Sequence, residues 1–162
     1  ILNVNEIGFY DFPDNEMDLV SNLQISKETE RIIQKFRPEQ VFNHSMFDVN
    51  VDHRSLYLAT LTATRPKKGT KIKKVYAFEI PSSTEWYFPT QFSPNTFVDI
   101  TKHIDKKIQI MNIYKSEINR HPFPRAKKNI KALASFRVAT CGYNYAESFV
   151  LLKEIILIKF EN

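Results

Sequence analysis

Two kinds of apolar spacing divide the chain into strand-like and helix-like segments. Strands are expected where short apolar runs are rich in β-branched and aromatic residues, at 5–10, 40–44, 74–80, 96–100 and 153–160. Helices are expected where apolar residues recur every three or four positions, at 26–36, 52–64, 102–118 and 125–137. Ser26 is the expected cap of the first helix, and a proline follows each of the first two helices.

Strands and helices alternate in the first half of the chain, which predicts parallel βαβ units. The expected fold class is therefore α/β, a Rossmann-like parallel sheet with helices on both faces. Ligands of such sheets lie at the carboxyl ends of the strands. The polar loops 11–15 (DFPDN) and 43–54 (NHSMFDVNVDHR) both come at the end of a predicted strand. We therefore expect both loops at the same edge of the sheet.

Length and composition indicate one globular domain over residues 1–162, since a hydrophobic fraction of 43% can fill a core. Three glycines leave no glycine-rich phosphate loop within these residues. Cys141 is the one cysteine, which excludes an internal disulfide and a cysteine-based zinc knuckle. With no long apolar span, this predicts a reducing, cytoplasmic setting without a membrane span. Because the chain opens on Ile1 rather than Met, we expect it to be the downstream part of a longer product.

The net charge of +5 is concentrated in the segment 66–74 (PKKGTKIKK), where five of nine residues are lysines. Basic tracts can bind the phosphates of nucleic acids. This tract contains no aromatic residue that could stack on bases, and it contains no arginine. A solvated loop is therefore the favoured interpretation, and no nucleic-acid partner is expected.

The loop before the second predicted helix concentrates groups that can bind metals and transfer protons. Asp48, Asn50, Asp52 and His53 fall within six residues, and imidazole with a neighbouring carboxylate is a common metal-ligand arrangement. From the residues alone, Asp52 as an ordinary helix cap is the favoured interpretation. A zinc site needs at least three protein ligands. His44 could be a second ligand, but it more simply ends the preceding strand with its side chain hydrogen-bonded. The spacing therefore leaves cap and active site as alternatives.

Several motifs carry a resemblance to a known family, and they occur in the order FNHSMFDVNVDHR, LTATRP, VYAFEIPSSTEW, PNTFVDI and FRVATCGYNYAESF. In these motifs the chain resembles the PIG-L/LmbE-like family of metal-dependent N-deacetylases. The resemblance implies a Rossmann-like LmbE fold that lacks its N-terminal part. It implies zinc as cofactor and hydrolysis of an N-acetyl group on a glucosamine-type sugar or sugar conjugate.

The resemblance also implies roles for individual residues. His53 matches the third metal ligand of the family. The other two ligands and the aspartate base belong to a family motif, A-H-P-D-D-E, that is absent from this chain, so they are expected upstream of Ile1. Asp52 matches the carboxylate of a histidine dyad, and Asn50 stands where relatives stabilise the oxyanion, so both are assigned as catalytic. Asp14 matches an acidic residue that contacts sugar hydroxyls.

Asp48 and Arg54 are further candidates for substrate contacts, although a cap or a surface ion pair would explain each of them. Glu85 and Trp86 either line the sugar cleft or belong to a loop anchored by a buried tryptophan. Phe123 and Val138 depart from the family pattern, which has histidine and glycine there, and they mark either drift or a weakened or specialised site.

The expected function is that of a zinc-dependent deacetylase acting on a small N-acetylated amino sugar, with the 162 residues inactive on their own. A homo-oligomer is left open. A non-catalytic relative that binds sugar or serves as a scaffold is the main alternative. A nucleotide-sugar transferase is a weaker one, because the two polar loops are acidic rather than rich in glycine or basic residues.

Overall fold

The structure is a computed structural model that describes residues 3–156. Four α-helices occur in this range: α1 (Asn22–Phe36), α2 (Val51–Ala63), α3 (Ile104–Met111) and α4 (Lys127–Arg137). Four strands occur with them: β1 (Gln40–His44), β2 (Lys74–Phe78), β3 (Thr96–Asp99) and β4 (Ala146–Glu154). Two short 3-10 helices lie at Met17–Leu19 and Thr84–Trp86.

The strands form one sheet in the order β1-β2-β4-β3. β1 and β2 are parallel and in register from Gln40↔Lys74 to His44↔Phe78, with α2 as the crossover between them. This confirms the predicted βαβ unit and the α/β class. β4 runs antiparallel to β2, so the sheet is mixed rather than uniformly parallel.

The described residues divide into two compact units. The larger unit comprises residues 15–96 and 149–156, and α1 packs against α2 within it. Ile25, Ala59 and Val75 are among its fully buried residues. The smaller unit comprises residues 3–14 and 97–148.

The core of the smaller unit is built by the two later helices. Ile104 and Ile108 of α3 pack with Ile130 and Ala134 of α4. Ile100, Met111 and Tyr145 cover this cluster. The prediction of a single domain over residues 1–162 stays a prediction.

α1 begins earlier than the sequence pattern indicates. Its cap is Ser21, whose Oγ accepts the backbone N–H of Gln24 at 3.3 Å. Ser26, the predicted cap, lies inside the helix and donates to Asn22 Oδ1 at 3.1 Å. The prediction chose the wrong serine, because the residue three positions after Ser26 is Thr29, whereas Ser21 has Gln24 at the position that a capping box requires.

Three other predicted elements differ from the structure. Residues 5–10 do not form a strand, and Ile7 and Phe9 are exposed, because no strand within residues 3–156 pairs with this segment. The helix predicted over 102–118 ends at Met111, after which the chain continues in turns. The last β-rich run, 153–160, lies in β4 only at its first two residues, and residues 157–160 fall outside the described part.

The two departures from the family pattern have ordinary surroundings. Val138 is buried and has a φ of −92°, a conformation that does not require glycine. Phe123 is exposed.

Over residues 3–156, every helix is too short or too polar to cross a membrane.

Candidate active site at the start of α2

Two loops meet at the carboxyl ends of β1 and β2. Because these strands are parallel and end in register at His44 and Phe78, the chain leaves both at the same edge of the sheet. The loop after β1 leads into α2, and the loop after β2 leads into the 3-10 helix Thr84–Trp86. The backbone N–H of Val49 donates to the carbonyl of Ser83 at 3.5 Å, which links the two loops.

Asp48 is the centre of this junction. Its side chain has 0% exposure. Oδ1 accepts the Asn50 backbone N–H at 2.9 Å and the Ser83 hydroxyl, and Oδ2 accepts the Thr84 hydroxyl at 2.8 Å. Burial alone would raise the pKa of this carboxyl, but His53 and these donors outweigh it and lower the pKa to about 2. Asp48 is therefore ionised at neutral pH.

His53 lies directly against this buried carboxylate. Its Nδ1 is 3.1 Å from Asp48 Oδ1, close enough for an ion pair although the direction falls outside hydrogen-bond geometry. Nδ1 is buried, whereas 21% of the side chain is exposed. The second ring nitrogen, Nε2, is therefore the one left for a ligand.

His44, the last residue of β1, stacks on the His53 ring. The ring centroids are 4.1 Å apart and the planes differ by 4°. Burial, assisted by repulsion from His53 and partly opposed by Asp48, lowers the pKa of His44 to about 4. The His53 ring is therefore held between the neutral His44 ring, which stacks on it, and the Asp48 carboxylate.

The cap of α2 is Asn50, not Asp52. Asn50 Oδ1 accepts the backbone N–H groups of Asp52 at 2.8 Å and His53 at 3.3 Å, and its Nδ2 donates to Asn15 Oδ1 at 3.1 Å. The prediction that Asp52 caps the helix was wrong by two residues, because Asn and Asp are equally good caps and the sequence offers both.

Asp52 instead fixes a segment from earlier in the chain. Its Oδ2 accepts the backbone N–H of Asn15 at 2.7 Å, and its Oδ1 accepts that of Met17 at 3.0 Å. Asp52 therefore ties the start of the 3-10 helix Met17–Leu19 to the start of α2. Asp14, the residue before Asn15, is exposed and belongs to the smaller unit, so its predicted sugar contact stays a prediction.

The remaining sequence candidates stabilise the same loops. Arg54 Nη1 donates to the carbonyls of Asp48 at 2.5 Å and Val49 at 2.7 Å. Glu85 accepts the backbone N–H groups of Ser82 at 2.6 Å and Ser83 at 3.1 Å.

Trp86 is 58% exposed, so the alternative of a loop anchored by a buried tryptophan was wrong. The buried side chains of this loop are instead Ser83 and Thr84, and both donate to Asp48.

A family model named PIG-L, GlcNAc-PI de-N-acetylase, matches residues 1–64, which include His44, Asp48, Asn50, Asp52 and His53. The predicted resemblance to the PIG-L family is confirmed. No curated protein matches the chain significantly.

Solved structures that resemble the chain share its LmbE-type fold. The conserved protein TT1542 of Thermus thermophilus is 19% identical with a TM-score of 0.68 over 93% of this chain and 67% of that chain. An N,N'-diacetylchitobiose deacetylase of Pyrococcus horikoshii, complexed with an inhibitor, is 19% identical with a TM-score of 0.66 over 88% of this chain. The chain spans 55% of that deacetylase. Identities this low show the fold alone.

A third similar structure carries a different chemistry. GalB of Pseudomonas putida, a 4-carboxy-2-hydroxymuconate hydratase, is 20% identical with a TM-score of 0.59 over 90% of this chain and 65% of that chain. The fold therefore does not determine the reaction.

The PIG-L resemblance implies a metal, and the described residues meet part of that requirement. His53, with one nitrogen against a buried carboxylate, fits a ligand whose ring is oriented by a second group. Residues 3–156 contain no group of three or more His, Cys, Asp or Glu side chains arranged to hold an ion. The described residues thus fit one metal ligand and its support, not a complete metal centre.

Sequence reasoning missed Ser83 and Thr84, although it singled out the PSSTEW segment that contains them. It considered His44 as a second metal ligand but favoured it as the end of a strand, and it did not predict the stacking on His53. Hydroxyl residues in a loop give no sequence signal for a carboxylate 35 and 36 positions earlier. Only the parallel pairing of β1 and β2 brings them together.

Proposed function

We propose that the natural protein is a zinc-dependent deacetylase that hydrolyses the N-acetyl group of a glucosamine-type sugar or sugar conjugate. The PIG-L match supports a deacetylase-type hydrolase. The observation that carries the proposal is the approach of His53 Nδ1 to the buried, ionised Asp48. A carboxylate at one imidazole nitrogen raises the basicity of the other nitrogen and fixes the orientation of the ring, and both effects favour metal binding.

His53 Nε2 would hold the metal, together with further ligands that residues 3–156 do not bring next to it. Bound zinc supplies Lewis acidity, which lowers the pKa of a coordinated water and polarises an amide carbonyl. Asp48 and His44 restrain the His53 ring, one by charge and one by stacking. Complete burial suits Asp48 to this role better than to the direct substrate contact that the sequence predicted.

The other roles concern the substrate side of the site. Asn50 Nδ2 is the donor proposed to stabilise an oxyanion, although one hydrogen bond already ties it to Asn15. Asp52 positions the segment that follows Asp14, and Asp14 is proposed to contact the sugar hydroxyls. Arg54 acts by fixing the carbonyls of Asp48 and Val49.

The test is acetate release from a panel of N-acetylglucosamine derivatives by the natural protein, expressed as its gene encodes it. We expect turnover that a chelator removes and that added zinc restores. His53→Ala should abolish turnover, and because it also removes a partner of the buried Asp48, a melting curve must establish that the variant is folded. The matched control is His121→Ala, since His121 is exposed in the smaller unit and should leave turnover unchanged. Full turnover by His53→Ala would refute the proposed role of His53.

A non-catalytic sugar-binding relative is the second candidate, and one observation favours it: residues 3–156 bring no three ligands together. That protein would bind an N-acetylated sugar in calorimetry without releasing acetate, whether or not zinc is added. Acetate release at a rate that depends on His53 would eliminate this candidate.

A further inference from the structure

A cavity with several charged lining residues lies in the larger unit, where α1 and α2 end. Its volume is about 410 Å³, within the range of small-molecule sites. The end of α1, the end of α2 and the loop 65–71 line it. Its charged lining residues are Arg37, Arg65, Lys67, Lys68, Lys71 and Glu30.

Positive charge dominates this lining. Glu30 is the one carboxylate among the lining residues, and it forms an ion pair with Lys67. The lining contains no carboxylate for the other four cations, which are Arg37, Arg65, Lys68 and Lys71. Within the described chain, the side chains of Arg37 and Lys68 have no carboxylate partner.

Helix dipoles account for only part of this charge. Arg37 and Arg65 follow the C-terminal ends of α1 and α2, where cations are stabilising. The lysines lie further along, in a loop closed by a hydrogen bond from Thr70 N–H to the Lys67 carbonyl at 3.1 Å. Gly69, with a φ of +83°, permits this turn. The lysines are thus presented by a defined turn.

The backbone conformation of Arg37 supports a binding role for the cationic side chains of the cavity. It has a φ of 47° and a ψ of 52°, the left-handed conformation in which glycine usually ends a helix. Glycine would adopt this conformation with less strain but would provide no guanidinium for the cavity. An arginine in this strained conformation points to a role for its guanidinium group in the cavity.

We propose that this cavity binds a compact anion carrying two or more phosphate groups. Guanidinium and ammonium groups bind phosphate oxygens through charge-assisted hydrogen bonds. The lining has no aromatic residue for base stacking, which argues against single-stranded nucleic acid. Arg65 follows His53 by twelve residues in sequence, about 18 Å along a helix. The cavity is therefore a separate site from the candidate active site.

The test is calorimetric titration of the natural protein with inorganic pyrophosphate at low ionic strength. We expect saturable binding that the double variant Arg37→Gln/Lys68→Gln weakens by roughly tenfold or more, since two charged contacts are lost. The control, Lys27→Gln/Lys115→Gln, removes the same charge from exposed positions outside the cavity and should change the affinity less than about twofold. Melting curves establish that both variants are folded.

A third variant separates this site from the metal site, because pyrophosphate also binds metal ions. His53→Ala should bind pyrophosphate as the wild type does, whether or not the deacetylase proposal holds. The proposal is overturned if the two double variants weaken binding equally, if His53→Ala abolishes it, or if no saturation occurs. Binding of anionic phospholipid vesicles or single-stranded DNA, with none of pyrophosphate, would also overturn it.

Discussion

The two ends of α2 present opposite chemistry. At its N-terminal end a carboxylate with 0% exposure is surrounded by donors, and the histidine beside it is restrained on two sides. At its C-terminal end, cations lie on exposed side chains around a cavity. Both arrangements agree with the helix dipole, which favours negative charge at the start and positive charge at the end.

The difference lies in how each end holds its charges. The N-terminal end depends on geometry, since each oxygen of Asp48 has an assigned donor and removal of one partner leaves a buried group unsatisfied. The C-terminal end depends on the number of charges, which water and salt screen. A single conservative substitution should therefore reduce activity or stability more at the N-terminal end of α2 than at its C-terminal end.

The largest effect is expected from Asn50→Asp, which keeps the capping oxygen of this side chain and removes its amide donor. Aspartate retains the oxygen that accepts from Asp52 and His53 but loses the hydrogen bond to Asn15, so the free energy of unfolding should fall by no more than about 1.5 kcal/mol. It removes the amide donor, which should lower kcat by roughly a hundredfold if that donor stabilises an oxyanion. Steady-state kinetics and thermal melting measure both. Wild-type kcat would show that Asn50 serves only as a cap.

Asp48→Asn should lower both turnover and stability. We expect a loss of roughly ten- to a hundredfold in kcat, the usual scale for a group that orients a metal ligand. The free energy of unfolding should fall by roughly 1–3 kcal/mol, because an amide NH₂ would face the hydroxyls of Ser83 or Thr84. Urea denaturation measures the stability. The control is Asp105→Asn, which breaks the exposed pair with Lys131 and should cost less than about 1 kcal/mol.

Acid should destabilise the metal-free protein through His44. Its pKa is lowered on folding from 6.5 to about 4, so the unfolded chain binds a proton more readily and stability falls as the pH drops between these values. We expect a loss of roughly 2 kcal/mol from pH 7 to pH 4, less than the full shift would give because the ring retains some solvent contact. Urea denaturation at several pH values measures it. The fall should be smaller in His44→Gln, and equal falls in both proteins would contradict the assignment.

The smallest effect is expected from Lys68→Gln at the other end of α2. Removal of one exposed cation should change the free energy of unfolding by less than about 0.5 kcal/mol. It should weaken pyrophosphate binding by roughly threefold, and added salt should reduce the difference from the wild type. Calorimetry at two salt concentrations measures this. A large loss of stability would mean that the lysine supports the fold rather than a ligand.

Local sequence patterns predicted β1 and the positions of α2, β2 and β3 closely, because prolines and polar loops mark their ends. They failed at residues 5–10 and in the antiparallel direction of β4. A strand needs a partner, and neither its presence nor its direction is encoded in the strand's own residues.

The sequence by itself determined the α/β class, the parallel β1–α2–β2 unit and the segment in which the candidate site lies. It did so through apolar spacing and through motifs that resemble the PIG-L family, both of which are read from neighbouring residues. Tertiary structure decided the separate roles of three similar polar side chains in this segment. Asp48, Asn50 and Asp52 look interchangeable along the chain, and only the folded loops give Asp48 to His53, Asn50 to the helix end and Asp52 to Asn15 and Met17. The physical reason is that each oxygen bonds to the donor nearest in space, and donors from residues 15, 17, 83 and 84 are distant in sequence.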